Sequence, residues 1–273
     1  MKNTLSYQAY LKSPYKSVKH STYFEIYDEL FSRYRNKKIT FVEIGVLGGG
    51  SLFMWREFFG PQARIIGIDL NPNAKKWEEH GFEIYIGSQS DKNFWSGFIS
   101  NVGPVDAVLD DGGHTYEQQI VTTEMLLTLI NDNGMLVVED THTSYMNEFG
   151  PKRYSFVNYT KNMIDKINQR FERFNPTLAD SRVWSVQSFE SIIAFHINRK
   201  ASNLLSKTTN NNGVDDSAKD FRYEGNKTID TFQKNISKFK FLKHIPGMKF
   251  LKNAAFNTIV NLTASKNSIK KYF

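Results

Sequence analysis

Short apolar runs bounded by glycine alternate with longer stretches of helical period over residues 20–198. Residues 20–35 carry Phe24, Tyr27, Leu30 and Phe31 at helical spacing and predict an amphipathic helix. A strand is expected over 39–46, a helix opening after glycines over 50–59, and strands over 64–70 and 82–87. Asp91 suits the N-cap of a helix running through Phe94, Phe98 and Ile99. The pattern continues as a strand over 105–111, a helix over 115–130, a strand over 134–141 and a helix over 155–174. Two closing strands over 183–189 and 192–198 follow. Alternation of this kind predicts an α/β fold with a doubly wound, mostly parallel sheet, ended here by an antiparallel hairpin.

Beyond residue 199 the pattern changes. Residues 200–227 are rich in Asn, Ser, Thr and Asp and read as a polar linker. Ile229, Phe232, Ile236 and Phe239 then follow a helical period, Pro246 and Gly247 break it, and a second apolar-basic stretch runs through Phe250, Leu251, Phe256, Ile259, Val260 and Leu262. The expected organisation is an N-terminal helical segment (1–38), a catalytic domain (39–199), a linker (200–227) and a basic amphipathic helical tail (228–273).

Charge reinforces that division. The net charge is +7, but residues 200–273 hold 14 Lys and Arg against 5 Asp and Glu, whereas residues 1–199 hold 21 against 23. The basicity belongs to the tail and says little about an active site. The absence of cysteine excludes disulfides, thiolate catalysis and Cys-ligated zinc. No apolar stretch is long enough to span a bilayer, and the N-terminus has no apolar signal core, so a cytoplasmic location is the default expectation.

Candidate chemistry lies at the ends of four strands. If the 105–111 and 134–141 strands are neighbours, Asp111, Glu139 and Asp140 converge at the carboxyl edge of one sheet, where open α/β sheets bind ligands. Packed carboxylates repel unless a cation or shared protons offset them, and a hard divalent ion is the simplest partner. His114 stands three residues after Asp111. The first glycine turn follows a strand, opens a helix and contains Gly45, Gly48, Gly49 and Gly50. Glu43 precedes it, where it would repel a pyrophosphate but could meet a cationic amine. Asp69 ends the next strand, where an acidic residue can hold ribose hydroxyls. This pairing fits S-adenosylmethionine better than a nicotinamide dinucleotide. Read blandly, the glycines form only a tight turn, Asp69 caps a helix, and Asp110 caps the turn after it or anchors the cofactor pocket. His20 and His142 are candidates for acceptor contacts or structural histidines, and Trp55 and Tyr145 are expected to pack.

These segments together resemble class I S-adenosylmethionine-dependent methyltransferases, and more narrowly the metal-dependent O-methyltransferases of macrolide deoxysugars. The matching pieces are Lys19-His20-Ser21, Glu43 to Val46 with Gly49 to Leu52 and Trp55, Gly67 to Asp69, Gly87 to Asp91, Asp110 to His114, Val138 to Tyr145, and the late stretch from Trp184 to Ile193. They span residues 15–198 and leave the tail uncovered. The resemblance implies a Rossmann-like fold in which Glu43, Gly45, Gly49 and Ser51 line the amino-acid end of the cofactor and Asp69 holds its ribose. Ser88, Gln89 and Ser90 would lie near adenine, with Asp110 in the cofactor pocket. Asp111, Glu139 and Asp140 would ligate Mg²⁺, and His114 would be the general base. Gly113, where such enzymes often carry Ser, is a departure that would loosen the loop holding His114. An oligomer is also implied.

The expected reaction is methylation of a sugar hydroxyl on a glycan, glycolipid or glycosylated natural product. A catechol-type O-methyltransferase is an alternative that also uses a metal. A metal-dependent hydroxylase is disfavoured because no 2-His-1-carboxylate set is visible and the carboxylates suit Mg²⁺ better. A non-catalytic membrane- or RNA-binding protein acting through the tail would leave the acidic cluster unexplained. The lysine-rich, Phe- and Leu-interleaved tail could lie on an anionic membrane at the inner face, or pack on the chain itself or on a second subunit. Its aromatics show no single-strand nucleic-acid pattern.

Overall fold

The computed structural model describes residues 3–171, 182–204, 206–214, 225–238 and 247–266. The chain divides into two compact units, residues 1–208 and 209–273.

The first unit is built on seven strands: β1 (Thr40–Ile44), β2 (Arg64–Asp69), β3 (Glu83–Ile86), β4 (Val105–Asp110), β5 (Ile130–Val138), β6 (Val183–Ser188) and β7 (Ile193–Ile197). Their order is β3-β2-β1-β4-β5-β7-β6. The first five are parallel, and β7 pairs antiparallel with both β5 and β6, as the pattern predicts. The order reverses between β1 and β4, which puts the ligand-binding crevice at the carboxyl ends of those two strands.

Helices cover both faces. On one side lie α1 (Leu5–Lys12), α2 (Tyr23–Phe31) and α3 (Gly50–Phe59), whose aromatic residues pack with Phe41 of β1. Trp55 is fully buried there, with Tyr27 and Phe41 rings 5.1 Å away. Each such aromatic pair contributes about 0.5–1.5 kcal/mol beyond its buried area. On the other side lie α4 (Lys92–Val102), α5 (Tyr116–Leu126) and α6 (Phe156–Asn168), packed on Val42 and Ile44. Period-two alternation along β1 thus feeds both cores and leaves Glu43 on the Trp55 side.

Several boundaries differ from expectation. The helix expected to reach residue 130 stops at Leu126, and Ile130 pairs with Val105 as the start of β5. The apolar run from Leu126 through Ile130 contains no Gly or Pro, so periodicity does not mark its turn. β5 ends at Val138 rather than 141, because Asp140 adopts a left-handed backbone (φ 54°) that sends Thr141–Tyr145 into a 3-10 turn. Asp91 caps α4 through the Asn93 N–H, as expected. The 155–174 helix ends at Asn168, and residues 172–174 lie outside the described residues, as do Phe239 and Pro246 of the tail. Arg199–Ser202, at the start of the expected linker, forms a short helix, α7. α1 is capped by Asp28 of α2, which accepts from Leu5 N at 2.6 Å and Ser6 N at 2.8 Å.

In the second unit, α8 (Lys227–Lys238) and α9 (Met248–Lys266) bring the Phe232 and Phe256 rings to 6.2 Å. Phe250, Leu251 and Leu262 are exposed.

Candidate active site

The backbone ladder draws the four strand ends together. Gly45 N donates to Ile68 O, Asp111 N to Ile44 O and Glu139 N to Asp110 O, each within 2.9 Å. The carboxyl edges of β2, β1, β4 and β5 therefore form one continuous rim. Gly45 has φ +90°, and a Cβ there would fall 2.0 Å from the Asp111 carbonyl oxygen, so only glycine allows β1 and β4 to close at this point.

The glycine turn is tied down on both sides. The Asp69 carboxylate accepts from Val46 N at 2.9 Å, Leu47 N at 2.8 Å and Asn71 N at 2.8 Å. Leu47 and Leu70 are exposed beside it and make an apolar fringe. Glu43 is fully buried and accepts from Ser51 Oγ at 2.9 Å and Trp55 Nε1 at 3.0 Å. Burial pushes its carboxyl up to about 7, against the opposing pull of Lys19 and the two donors. Gly49 (φ +79°) lies against Trp77, where a Cβ would meet the indole at 2.3 Å.

Gln89 is a crosspiece. Its Nε2 donates to Asp110 Oδ1 at 2.7 Å and Thr122 Oγ1 at 3.2 Å, and its Oε1 accepts from Gly113 N at 2.9 Å. Ser90 N donates to Ser88 Oγ at 3.3 Å. Asp110 is buried, with its carboxyl pushed up to about 7 by that burial. Its Oδ2 has no hydrogen-bond partner. The loop carrying His114 is hydrogen-bonded at Gly113 N and at the His114 carbonyl oxygen, which accepts from Thr143 Oγ1 at 3.2 Å. A Cβ at Gly113 would meet the Gln118 amide at 2.4 Å, and Gln118 forms a capping box with Thr115 at the start of α5.

Asp111, His114 and Asp140 offer ligand atoms that all lie within 4.8 Å of one another, and each side chain is about one-fifth exposed. His114 Nε2 stands 3.2 Å from Asp140 Oδ2 and 3.8 Å from Asp111 Oδ1. Glu139 lies deeper, with 1% of its side chain exposed, and meets Lys19 Nζ at 3.0 Å through Oε2. Lys19 Nζ also meets Asp111 Oδ2 at 2.5 Å. Tyr27 donates to Glu139 Oε1, and Tyr23 donates to Asp140 Oδ1 at 2.5 Å. Burial alone would lower the Lys19 pKa, but Asp111 and Glu139 outweigh it and hold the ammonium well above its usual range. Burial raises Glu139 and Tyr27 well above theirs.

Lys19 and Tyr27 entered the sequence reading without these roles, and Tyr23 was not singled out there. The signal was available: polar groups four residues apart on the face of a helix that otherwise buries aromatics. Gln119, whose Nε2 donates to Glu139 O at 3.0 Å, and Tyr116, which donates to Thr143 O at 3.0 Å, were also missed. His20 and His142 flank Asp140 Oδ1 at 4.0 and 3.9 Å, and His142 is bonded to Ser191 Oγ. Trp55 packs as expected, but Tyr145 is 69% exposed and does not. It follows the left-handed turn at Asp140, which points it away from the core face of β5.

A family model described as a methyltransferase domain matches residues 42–141, the stretch from β1 to the turn after β5. The chain is 30% identical over 158 residues to the 8-demethyl-8-alpha-L-rhamnosyl tetracenomycin-C 2'-O-methyltransferase of Streptomyces olivaceus, covering 54% of this chain and 41% of that protein. It is 34% identical over 131 residues to the demethylmacrocin O-methyltransferase of Streptomyces fradiae, covering 45% and 33% respectively. It thus spans about two fifths of one curated relative and a third of the other. The MycE methyltransferase of mycinamycin biosynthesis, solved with Mg, SAH and mycinamycin VI, superposes with a TM-score of 0.65 at 26% identity. The match covers 75% of this chain and 55% of that one.

The residues of the rim fit the two groups, Mg and SAH, that the similar solved structure holds. The partnerless Asp110 Oδ2 beside the glycine turn is a buried acceptor awaiting a donor, and the exposed Leu47 and Leu70 beside Asp69 offer apolar surface to a nucleoside. Asp111 Oδ1 and Asp140 Oδ2 lie 3.8 and 3.2 Å from His114 Nε2, and two carboxylate oxygens so placed are a donor set suited to a hard divalent ion.

Proposed function

We propose that this chain is an S-adenosylmethionine- and Mg²⁺-dependent O-methyltransferase that methylates a hydroxyl of a sugar-containing acceptor. The observation that carries the reading is the approach of Asp111, His114 and Asp140 to within 4.8 Å, at the switch point of a methyltransferase domain and beside its glycine turn. The named activities of the relatives and the Mg and SAH bound by MycE support it.

In this reading Glu43, Gly45, Gly49 and Ser51 shape the amino-acid end of the cofactor pocket. Asp69 receives the ribose, and Ser88, Gln89, Ser90 and Asp110 enclose the adenine side. Asp111, Glu139 and Asp140 hold the ion, which when bound would lower the cost of the developing alkoxide. His114 accepts the hydroxyl proton. Asp140 Oδ2 lies 3.2 Å from His114 Nε2, close enough for its carboxylate to hold the imidazolium that forms. The enclosing residues 13–19 run over the glycine turn, where Ser13 Oγ donates to Gly50 O at 2.8 Å and limits water there.

The proposed division of labour keeps residues 1–38 as an N-terminal helical segment, 39–199 as the catalytic domain, 200–227 as linker and 228–273 as tail. The exposed Phe250, Leu251 and Leu262 of α9, in a segment with nine lysines and no acidic residue from Thr231 onward, suit an anionic membrane surface. That would bring the enzyme to a lipid-linked glycan on the cytoplasmic side. No helix among the described residues is long and apolar enough to cross a membrane. Assembly into a homo-oligomer belongs to the same proposal.

Calorimetry with S-adenosylhomocysteine, with Mg²⁺ and then with EDTA, tests the cofactor class, and methyl transfer to glycosylated acceptors tests the reaction. Absence of binding in both conditions overturns the reading. Deleting residues 228–273 is expected to abolish binding to anionic vesicles and to leave S-adenosylhomocysteine binding intact. Unchanged vesicle binding removes the membrane role.

A further inference from the structure

Three donors from the N-terminal segment reach the acidic cluster at four-residue intervals: Lys19, Tyr23 and Tyr27. Tyr23 and Tyr27 lie one turn apart on the inner face of α2, and Lys19 precedes that helix by four residues in the segment leading into it. Each carboxylate is gripped by this ridge. Asp111 gives Oδ2 to Lys19, Asp140 gives Oδ1 to Tyr23, and Glu139 gives Oε2 to Lys19 and Oε1 to Tyr27. The oxygens left over, Asp111 Oδ1 and Asp140 Oδ2, face the partly exposed side with His114.

The charges have the same arrangement. If all three carboxylates are ionised, one ammonium leaves the cluster two charges short, and one divalent ion would supply both. Lys19 has 2% of its side chain exposed and Glu139 1%, while Asp111, Asp140 and His114 are each about one-fifth exposed. An ion entering from solvent therefore meets the outer oxygens first and has no need of the position Lys19 fills.

We infer that Lys19, Tyr23 and Tyr27 form a positioning ridge for the metal site, in which Lys19 is a resident cation that stays in place beside the bound divalent ion. This rests on the reading that the acidic cluster holds that ion, with the outer oxygens of Asp111 and Asp140 facing it. Hydrogen-bonded partners behind metal ligands fix their orientation, and losing one typically costs ~10–100-fold in metal affinity. The ridge also ties the N-terminal segment to the site, so residues 13–27 are part of the metal centre rather than a separate cover.

The test has two arms on the full-length chain. Lysine acylation read by mass spectrometry is run with and without Mg²⁺ and S-adenosylhomocysteine. Lys19 is expected to stay protected in both, and a rise in its labelling on adding Mg²⁺ overturns the inference by showing that the ion displaces it. Mn²⁺ binding is then measured by electron paramagnetic resonance for wild type, Lys19→Met, Tyr23→Phe and Tyr27→Phe, alongside S-adenosylhomocysteine affinity. The expected result is a ~10-fold or greater loss of Mn²⁺ affinity with cofactor affinity kept within about twofold. A merely structural role would weaken both together. Mn²⁺ affinity that is unchanged or tighter in the variants overturns the ridge. Should Lys19→Met not fold, the two Tyr→Phe variants, which remove one oxygen each, carry the same comparison. A wild-type chain that binds S-adenosylhomocysteine but no Mn²⁺ overturns the metal reading itself, a distinct result that takes the ridge with it.

Discussion

Glu43→Gln is expected to reverse the sign of its effect on stability with pH. Glu43 is fully buried, and burial raises its carboxyl from 4.5 to about 7. Between those values the folded chain holds a proton that the unfolded chain has released, so stability falls as pH rises through that window and levels off above about 7. A shift of this size corresponds to roughly 3 kcal/mol, at about 1.4 kcal/mol per pKa unit. Gln cannot ionise and escapes that loss. It keeps one acceptor where Glu43 has two, serving Ser51 Oγ and Trp55 Nε1, which costs about 1 kcal/mol at every pH. The variant should therefore be less stable than wild type by about 1 kcal/mol near pH 4.5 and more stable by about 2 kcal/mol at pH 8. At roughly 2–4 °C per kcal/mol for a unit of this size, the Tm difference should change from a few degrees negative to about 4–8 °C positive. Thermal unfolding of the ligand-free protein followed by circular dichroism at both pH values reads this directly. A variant equally destabilised at pH 4.5 and pH 8 would refute the assignment of a buried, proton-holding Glu43.

Other substitutions separate the roles at the rim. His114→Asn should lower kcat by about 10²–10⁴-fold and leave S-adenosylhomocysteine affinity within about twofold, and an unimpaired kcat would remove His114 as the base. Asp140→Asn removes an outer oxygen that faces the ion, so Mn²⁺ binding by resonance should be lost and excess Mg²⁺ should not restore turnover; full turnover in EDTA would contradict this. Gly45→Ala forces a Cβ against the Asp111 carbonyl at φ +90°, and calorimetry should show cofactor binding lost together with a lower Tm. Wild-type binding would mean the β1–β4 closure is not the cradle.

The sheet was legible because its strands are buried on both faces and read as continuous apolar runs between glycines. Asp111, His114 and Asp140 were legible for a related reason. Residues at the ends of adjacent parallel strands must be neighbours, so sequence order alone brings them together. The Lys19–Tyr23–Tyr27 ridge was less so, because a tyrosine on a buried helical face reads as packing, and only the tertiary docking of α2 turns its hydroxyl toward a carboxylate. Gln89 was expected beside adenine, and the bonds its amide makes to Asp110, Thr122 and Gly113 were not legible. A short polar loop has no period from which to read the direction of its side chains. The end of β5 was misplaced because the left-handed turn at Asp140 has no compositional mark, unlike one made by glycine.

That turn belongs to a wider pattern of strain. Seven non-glycine residues have positive φ among those described: Asn36, Leu47, His114, Asn133, Asp140, Ser191 and Asn212. Three are asparagines, which tolerate the left-handed region through local side-chain bonds. The other four, Leu47, His114, Asp140 and Ser191, all lie along the carboxyl rim of the sheet, and the last three are joined directly. Thr141 N donates to Ser191 O at 3.1 Å, and Thr143 Oγ1 donates to His114 O at 3.2 Å and Asp140 O at 2.8 Å. Each such conformation costs on the order of 1 kcal/mol or more and persists only where surrounding contacts over-determine it. Here the hydroxyls of Thr143 and Tyr116 and the ladder bond to Ser191 provide those contacts. They aim His114 and Asp140 at the same point, a direction that neither a strand nor a helix would give them. The sheet places the acidic residues at the rim, and the strained turns direct them at one another.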